Sequence, residues 1–390
     1  MTMWQFDQSI LAALCTTFLA CLALIATRNL HGHLTLDQRA GVQKIHDFQA
    51  PRVGGVALYL GALAGGLVMP AVGQGLWWTI LLALLPSFVL GTVEDITGQV
   101  GVRLRLSATI LSGVIFCGIS GLRITHVDLV PVDWLLGFVP FAILFTGVAI
   151  GGVANALNII DGAHGLASGT AMLILAGFAV LAWNSGDVGL LACILTAFAL
   201  LAGFFVLNFP FGRIFMGDAG AVMAGFLLAT IAVALPQRNP DISPLVGLIA
   251  LAYPVTETLV SIIRRLNRRG GNPGTADRLH LHSLVFRSRA LRLAARLGLP
   301  QHRNAMTTVI VAALPVLTTL LTIWNPASSG QTLVELGLVV VVYLWAYRTV
   351  ALLPPLTRAP RRTPRTGAAK TGAAKTGAAK TGAAKAGTNR

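Results

Sequence analysis

Residues 155–169 read NALNIIDGAHGLASG, between two apolar stretches, approximately 135–157 and 166–183, that are long enough to cross a bilayer. Two Asn, one Asp and one His stand at the end of a membrane helix. Ionisable and polar groups there are costly and by default mark a site, and Gly162, Gly165 and Gly169 let backbone approach a ligand closely. The plainer reading is a helix cap, with Asn158 or Asp161 capping the helix that follows.

Working outward, the chain is mostly apolar. Hydrophobic residues make up 55% of its 390 residues and charged residues only 11%, which excludes a soluble domain around a single core. A membrane helix needs about 20 apolar residues. Eleven runs qualify, approximately 9–27, 53–73, 75–92, 106–120, 135–157, 166–183, 188–207, 220–235, 244–263, 306–324 and 332–352. The expected fold is an all-α polytopic membrane protein with about eleven transmembrane helices, or ten if one short run does not span. Cytoplasmic loops are rich in Lys and Arg. With the N-terminus outside and the C-terminus cytoplasmic, 27 of the 29 Lys and Arg lie inside, leaving Arg123 and Arg238 outside. The first run follows Asp7 without a small-residue cleavage signature and reads as a retained helix. Cys15, Cys21, Cys117 and Cys193 all sit in apolar runs without C-x-x-C spacing, as core residues rather than disulfide or metal partners.

The remaining polar stretches fall on the same side as 155–169. The loop before the second run reads KIHDFQAPRVGG and holds Lys44, His46 and Arg52. An extended segment would put Lys44 and His46 on one side, and Gly54-Gly55 at a helix start would offer amides to an anion. Next comes GTVEDITGQVGVRLRL, where the adjacent carboxylates Glu94 and Asp95 repel unless a divalent cation or a shared proton relieves them. The plain alternative is a solvated acidic loop paired with Arg103 or Arg105. In NFPFGRIFMGDAGA, Asp218 sits among glycines at a helix start, which suits a magnesium ion that takes its other ligands from water and phosphate. Glu257, about two turns before Arg264, is expected to neutralise Arg264 or Arg265.

The longest inside loop, 264–305, carries ten Arg and the segment TADRLHLHSLVFRS. If extended, its alternation puts His280 and His282 on one face and Leu279 and Leu281 on the other. With Arg278 the histidines form an anion-binding arm, and SLVFRSRALRLAARLG reads as a basic amphipathic helix on the membrane surface. The C-terminal 356–390 contains four TGAAK repeats from Thr366 to Lys385, without an apolar face to bury. It is expected to be a disordered basic cytoplasmic tail at the anionic inner leaflet. No nucleic-acid binding is expected, since nothing aromatic or folded accompanies its lysines.

Together, KIHDFQAPRVGG, the Glu94-Asp95 loop, NALNIIDGAHGLASG, FMGDAG and DRLHLHS resemble the polyprenyl-phosphate N-acetylhexosamine-1-phosphate transferases, in that family's order, over roughly residues 30–290. The resemblance implies that residues 1–355 form an integral membrane catalytic domain of a bacterial inner membrane, with its active-site loops cytoplasmic. It implies transfer of N-acetylhexosamine 1-phosphate from a UDP-sugar to undecaprenyl phosphate, with release of UMP, at the start of a cell-envelope glycan such as O-antigen or a wall polymer. It also implies that Asp218 and Asn158 hold Mg²⁺, with Mn²⁺ a substitute, and that Glu94 and Asp95 sit at the reacting phosphates. Asp161 and His164 would face the nucleotide. Arg278, His280 and His282 would form an arm over the sugar phosphate, with Lys44 and His46 on the acceptor side. A homodimer is left open. The chain departs from the family's pattern at Glu94, usually Asp, at His164, often a second Asp, and at Ser283, commonly His.

Two other functions fit the composition. A polytopic secondary transporter also uses intramembrane carboxylates and glycine breaks, but such sites lie near the bilayer midplane between repeated halves. Here the polar residues gather at one face and the halves do not repeat. A scaffold working through its basic tail leaves the loop motifs unexplained.

Overall fold

In hydrocarbon a backbone amide or carbonyl must find its partner within the protein, which favours continuous helices wherever the chain is apolar. A computed structural model of the chain describes residues 4–35, 50–267 and 279–353, all within one unit, Met1–Pro355. Lys44, His46, Arg278 and the tail 356–390 lie outside the described residues.

The elements in order are α1 (Trp4–Ala26), α2 (Arg28–Thr35), α3 (Gly54–Leu67), α4 (Ala71–Thr97), α5 (Val102–Ser120), α6 (Val130–Leu136), α7 (Val139–Ile160), α8 (Leu166–Asn184) and α9 (Val188–Asn208). There follow α10 (Gly217–Arg238), α11 (Val246–Ala250), α12 (Ala252–Leu266), α13 (Leu281–Val285), a π-helical turn over Phe286–Ala290, α14 (Leu291–Arg296), α15 (Arg303–Val311), α16 (Ala313–Trp324) and α17 (Ser329–Ala351). Among the described residues there is no strand.

All eleven apolar runs fall in helices, but nine helices among the described residues, not eleven, are long and apolar enough to cross a membrane. The two shortfalls have local causes. The run 53–73 ends as α3 after 14 residues, about 21 Å of helix. Pro70 disfavours helical backbone at the residue before it. The run 244–263 is broken at Leu251, between α11 and α12. Pro254 has no N–H to give the carbonyl four residues back, that of Ala250, and the Thr318 hydroxyl donates to it instead at 3.3 Å. The two shortest runs, 106–120 and 220–235, lie in helices long enough to span, because α5 begins at Val102 with Arg103 and Arg105 in its first turn, and α10 reaches from Gly217 to Arg238.

At the centre is α10, 94% of whose most apolar stretch is buried. Its small residues permit close packing, as helix contacts in lipid require. A Cβ on Gly55 would lie 2.5 Å from the Gly220 nitrogen, and one on Gly225 would lie 2.7 Å from the Ala154 Cα. The helices therefore bring the ends of α4 and α7 and the starts of α3, α5 and α8 around the N-terminal end of α10. The segment 283–298, expected to lie on the membrane surface, forms the π-helical turn and α14 packed on α15, with Val285, Ser288, Ala290 and Ala294 buried.

Candidate functional site

The first amides of a helix have no partner within it. In α10 they are capped from another helix. Asp95, in the last turn of α4, accepts the amides of Asp218 (2.7 Å) and Ala219 (3.0 Å), a favourable place for a carboxylate. The approach is so close that Gly217, at φ 74°, has no room for a side chain: a Cβ would lie 2.2 Å from the Arg52 carbonyl and 2.5 Å from Asp95 Oδ2. Gly54 and Gly55, read from the sequence as an anion site, instead donate to the carbonyls of Phe215 and Met216 at 3.0 and 2.9 Å. They clamp the α10 approach to α3.

Because Asp95 caps the helix, the Asp218 carboxylate is left to side chains. Arg105 donates Nη1 to its Oδ2, Arg52 places Nη2 3.8 Å from Oδ1, and Asn158 Nδ2 lies 3.5 Å from Oδ1. Arg52 lies close enough to act electrostatically on Asp95 and Asp161 as well. Asp161 terminates α7. Burial pushes its carboxyl up to about 7, against the pull of Arg52. Glu94 turns away from Asp95, and its Oε2 accepts the Val100 amide at 2.8 Å across the turn that closes α4. The adjacent carboxylates lie on a helix rather than in a loop, and Arg105 reaches Asp218.

The 155–169 stretch is held without capping by Asn158 or Asp161. α8 starts at Gly165, φ 75°, whose amide goes to Asn208 Oδ1 at 2.6 Å, and Asn155 ties α7 to Thr109 of α5 at 2.8 Å. His164 faces the turn after α9. Its Nδ1 donates to the Pro210 carbonyl (3.0 Å), and a Cβ on Gly212 would lie 2.3 Å from its Nε2. Asn304 accepts its amide at 2.8 Å and Thr308 donates to its carbonyl at 2.7 Å. Burial holds the imidazole below its ordinary pKa, with the Pro210 bond opposing.

The histidine arm reaches the same place. A Cβ on Gly162 would lie 2.2 Å from His282 Nε2, so this ring covers the turn after Asp161. The rings of His280 and His282 are parallel, with centroids 5.5 Å apart, although residues 281–285 are helical rather than extended. Burial lowers the His282 pKa to about 4, against the charge of Glu257. Glu257 itself bonds His280 Nδ1 at 3.0 Å rather than Arg264 or Arg265.

Asp95, Asn158, Asp161, Asp218 and His282 thus surround the N-terminal end of α10, with Glu94 one residue away and His164 on its margin. Sequence reasoning named Arg52 in the loop before α3 and offered Arg105 as a partner of the Glu94-Asp95 carboxylates, but assigned neither a place beside Asp218. The position of Arg105, inside the first turn of a membrane helix, was the signal available.

Residues 77–236 match the profile of glycosyl transferase family 4. The chain is 29% identical to a probable undecaprenyl-phosphate N-acetylglucosaminyl 1-phosphate transferase of Bacillus subtilis (strain 168), over 62% of this chain and 66% of that protein. It is 27% identical to undecaprenyl-phosphate alpha-N-acetylglucosaminyl 1-phosphate transferases of Yersinia pestis and of Escherichia coli (strain K12), in each case over 68% of this chain and 73% of the relative. The chain thus spans about two thirds of the length of the B. subtilis relative. The family match runs from α4 to the end of α10 and so contains Glu94, Asp95, Asn158, Asp161, His164 and Asp218, but it stops before the histidine arm. The match to the family profile and the nine apolar helices among the described residues suit a multi-pass membrane protein.

Proposed function

We propose that this chain transfers N-acetylhexosamine 1-phosphate from a UDP-sugar to undecaprenyl phosphate on the cytoplasmic face of a bacterial inner membrane. The observation that carries this reading is the ring around Asp218, where two guanidiniums, an amide and two further carboxylates from four other segments meet at a helix end. In the reaction an oxygen of the acceptor phosphate forms a bond to the β-phosphorus of the nucleotide sugar. The bond from that phosphorus to the bridging oxygen breaks, and UMP leaves. Phosphoryl transfer asks chiefly for positioning and for neutralisation of charge. Arg52 and Arg105 supply positive charge for the diphosphate, and neutral His282 offers a ring nitrogen beside the Asp161 turn. His280 and Arg278 complete the arm, Lys44 and His46 serve the acceptor side, and Asp161 borders the nucleotide. Glu94 and Asp95 stand at the reacting phosphates, Asp95 also fixing the loop that carries Asp218.

The donor set fits magnesium, with manganese as a substitute. Among the described residues no three His, Cys, Asp or Glu side chains cluster closely enough to cage a cation. An ion here takes only Asp218 and, after a half-turn of its amide, Asn158 Oδ1 from the protein, leaving positions for water and phosphate as magnesium prefers. When bound, it would neutralise charge on the diphosphate. The domain division belongs to the same reading, with 1–355 the membrane catalytic domain and 356–390 a basic tail on the anionic inner leaflet.

The test is to incubate membranes containing the chain with a panel of UDP-sugars and undecaprenyl phosphate, measuring UMP and the mass of the lipid product. One UDP-N-acetylhexosamine should give both. Solute uptake into vesicles with no UMP release would overturn the transferase reading in favour of a transporter.

A further inference from the structure

The histidine arm is fastened to two helices, α12 and α17, that carry none of the chemistry-bearing motifs. Glu257 in α12 is 1% exposed, and a carboxylate that deeply buried must be matched by donors. Its Oε1 accepts from His280 Nδ1 at 3.0 Å and from the Leu281 amide at 3.1 Å, which also lies 3.3 Å from Oε2. The remaining donor comes from α17, where the Tyr343 hydroxyl reaches Oε2 at 2.8 Å. One turn further along α17, the Tyr347 hydroxyl donates to the Leu279 carbonyl at 3.0 Å and receives Arg264 Nη1 at 2.8 Å. The guanidinium of Arg264 also lies over the Tyr347 ring, 5.7 Å from its centroid. Both residues flanking His280 are therefore bonded at the backbone, and its ring is bonded at Nδ1. The parallel His282 ring then covers Gly162.

We propose that α17 is a strut for the histidine arm, with Tyr343 acting through Glu257, and Tyr347 through the Leu279 carbonyl, as positioning residues that set His280 and His282 over the Asp161 turn. This rests on the reading that the arm meets the diphosphate of the sugar nucleotide. An ionised carboxylate only accepts hydrogen bonds. Glu257 therefore requires a proton on His280 Nδ1, which in the uncharged form of the ring leaves Nε2 as the acceptor and so fixes the tautomer as well as the place of the ring. Buried polar networks of this kind specify one arrangement when every member is satisfied.

The experiment uses the full chain in detergent and compares Tyr343→Phe, Tyr347→Phe and Glu257→Gln with His280→Ala. The measurements are melting temperature, kcat, KM for each of the two substrates, and the ¹⁵N signature of the His280 tautomer. Tyr343→Phe keeps the volume of the ring and should melt near the parent. It should raise KM for the UDP-sugar by roughly fivefold, the worth of one hydrogen bond, and leave KM for undecaprenyl phosphate unchanged. Loss of packing alone does not separate two substrates in this way. Glu257→Gln should have the larger effect and shift His280 away from the Nδ1–H tautomer. Should Glu257→Gln not fold, the two tyrosine variants carry the test. The strut is overturned if Tyr343→Phe, Tyr347→Phe and Glu257→Gln all keep the parent KM while His280→Ala raises it, or if Glu257→Gln keeps the parent tautomer. If His280→Ala keeps both KM values and kcat, it is the reading of the arm at the diphosphate that fails, and the tautomer measurement still decides whether Glu257 sets the ring.

Discussion

Two clusters of the same residue types sit at opposite ends of α10, roughly 33 Å apart along its axis. At the N-terminal end Asp218 meets Arg105, Arg52 and Asn158, and at the C-terminal end Asp187 meets Arg238 and Asn239. At Asp187 the carboxylate is committed. It caps α9 through the Leu190 amide at 3.0 Å, takes Arg238 in a two-point bond at 2.7 and 2.6 Å, and receives Asn239 at 3.4 Å. Burial alone would raise its pKa, but Arg238, the Leu190 amide and Asn239 outweigh that and hold it below the ordinary carboxylate range. At Asp218 the capping is done by Asp95, and the partners are side chains from three other segments, Arg105 in direct contact and Arg52 and Asn158 at 3.8 and 3.5 Å. The difference lies in the backbone: a carboxylate that caps a helix is a rivet, whereas one relieved of capping can exchange its partners for a ligand.

The largest effect should separate these two. Asp218→Asn keeps shape and removes the charge, and is expected to cut turnover by about a thousandfold or more with little change in melting temperature. The parent should likewise be inactive in excess chelator. Full turnover in chelator would break the contrast at its functional end. Asp187→Asn should do the converse. Asn still caps α9, so losing the charge of a partly exposed pair is expected to cost about 1 kcal/mol of stability, with kcat/KM unchanged. Because the folded pKa of Asp187 is depressed, its contribution is present above the unfolded pKa and is lost as pH falls through the folded value. The melting difference between parent and Asp187→Asn should therefore shrink below about pH 4.

What the sequence discloses follows the range of the forces involved. Apolar runs and the gathering of NALNIIDGAHGLASG, Glu94-Asp95 and FMGDAG at one end are local in origin, and they were legible. The split at Leu251 was written in Pro254 but submerged in a continuous apolar run, since hydropathy does not register a missing amide. Pairings across the bundle were not legible. Asp95 caps a helix that begins more than a hundred residues later, and Glu257 looks like the partner of Arg264 until folding brings His280 and Tyr343 to it. Arg52 and Arg105 were hidden among 29 basic residues whose distribution has its own explanation in topology.

The arm sharpens the same comparison through pH. His282 is buried with its pKa lowered to about 4 from an ordinary 6.5, so the unfolded chain binds the proton first. Stability should therefore fall as pH drops through that window, by about 1 kcal/mol between pH 6 and pH 5. In His282→Gln the fall should be shallower. Melting curves of parent and variant with the same slope would show the ring to be open to solvent rather than packed on Gly162.

The smallest effect concerns His164, which lies on the border between the two kinds of region. A residue turned to the nucleotide would be part of the exchangeable set, whereas a residue that joins loops is a rivet like Asp187. The geometry favours the rivet, since Nδ1 donates to the Pro210 carbonyl, Nε2 lies against Gly212, and the backbone on both sides is held by Asn304 and Thr308. Two loops and α15 meet there, and none of these four contacts requires a ligand. His164→Leu removes the bond to Pro210 and keeps apolar bulk beside Phe215, so it is expected to lower stability by about 0.5–1 kcal/mol with KM for the UDP-sugar unchanged. His164→Asn retains a donor of shorter reach and should lose less. A tenfold rise in KM for His164→Leu at an unchanged melting temperature would move this ring into the nucleotide pocket, and the line between rivets and exchangeable partners would then have to be drawn on the far side of residue 164.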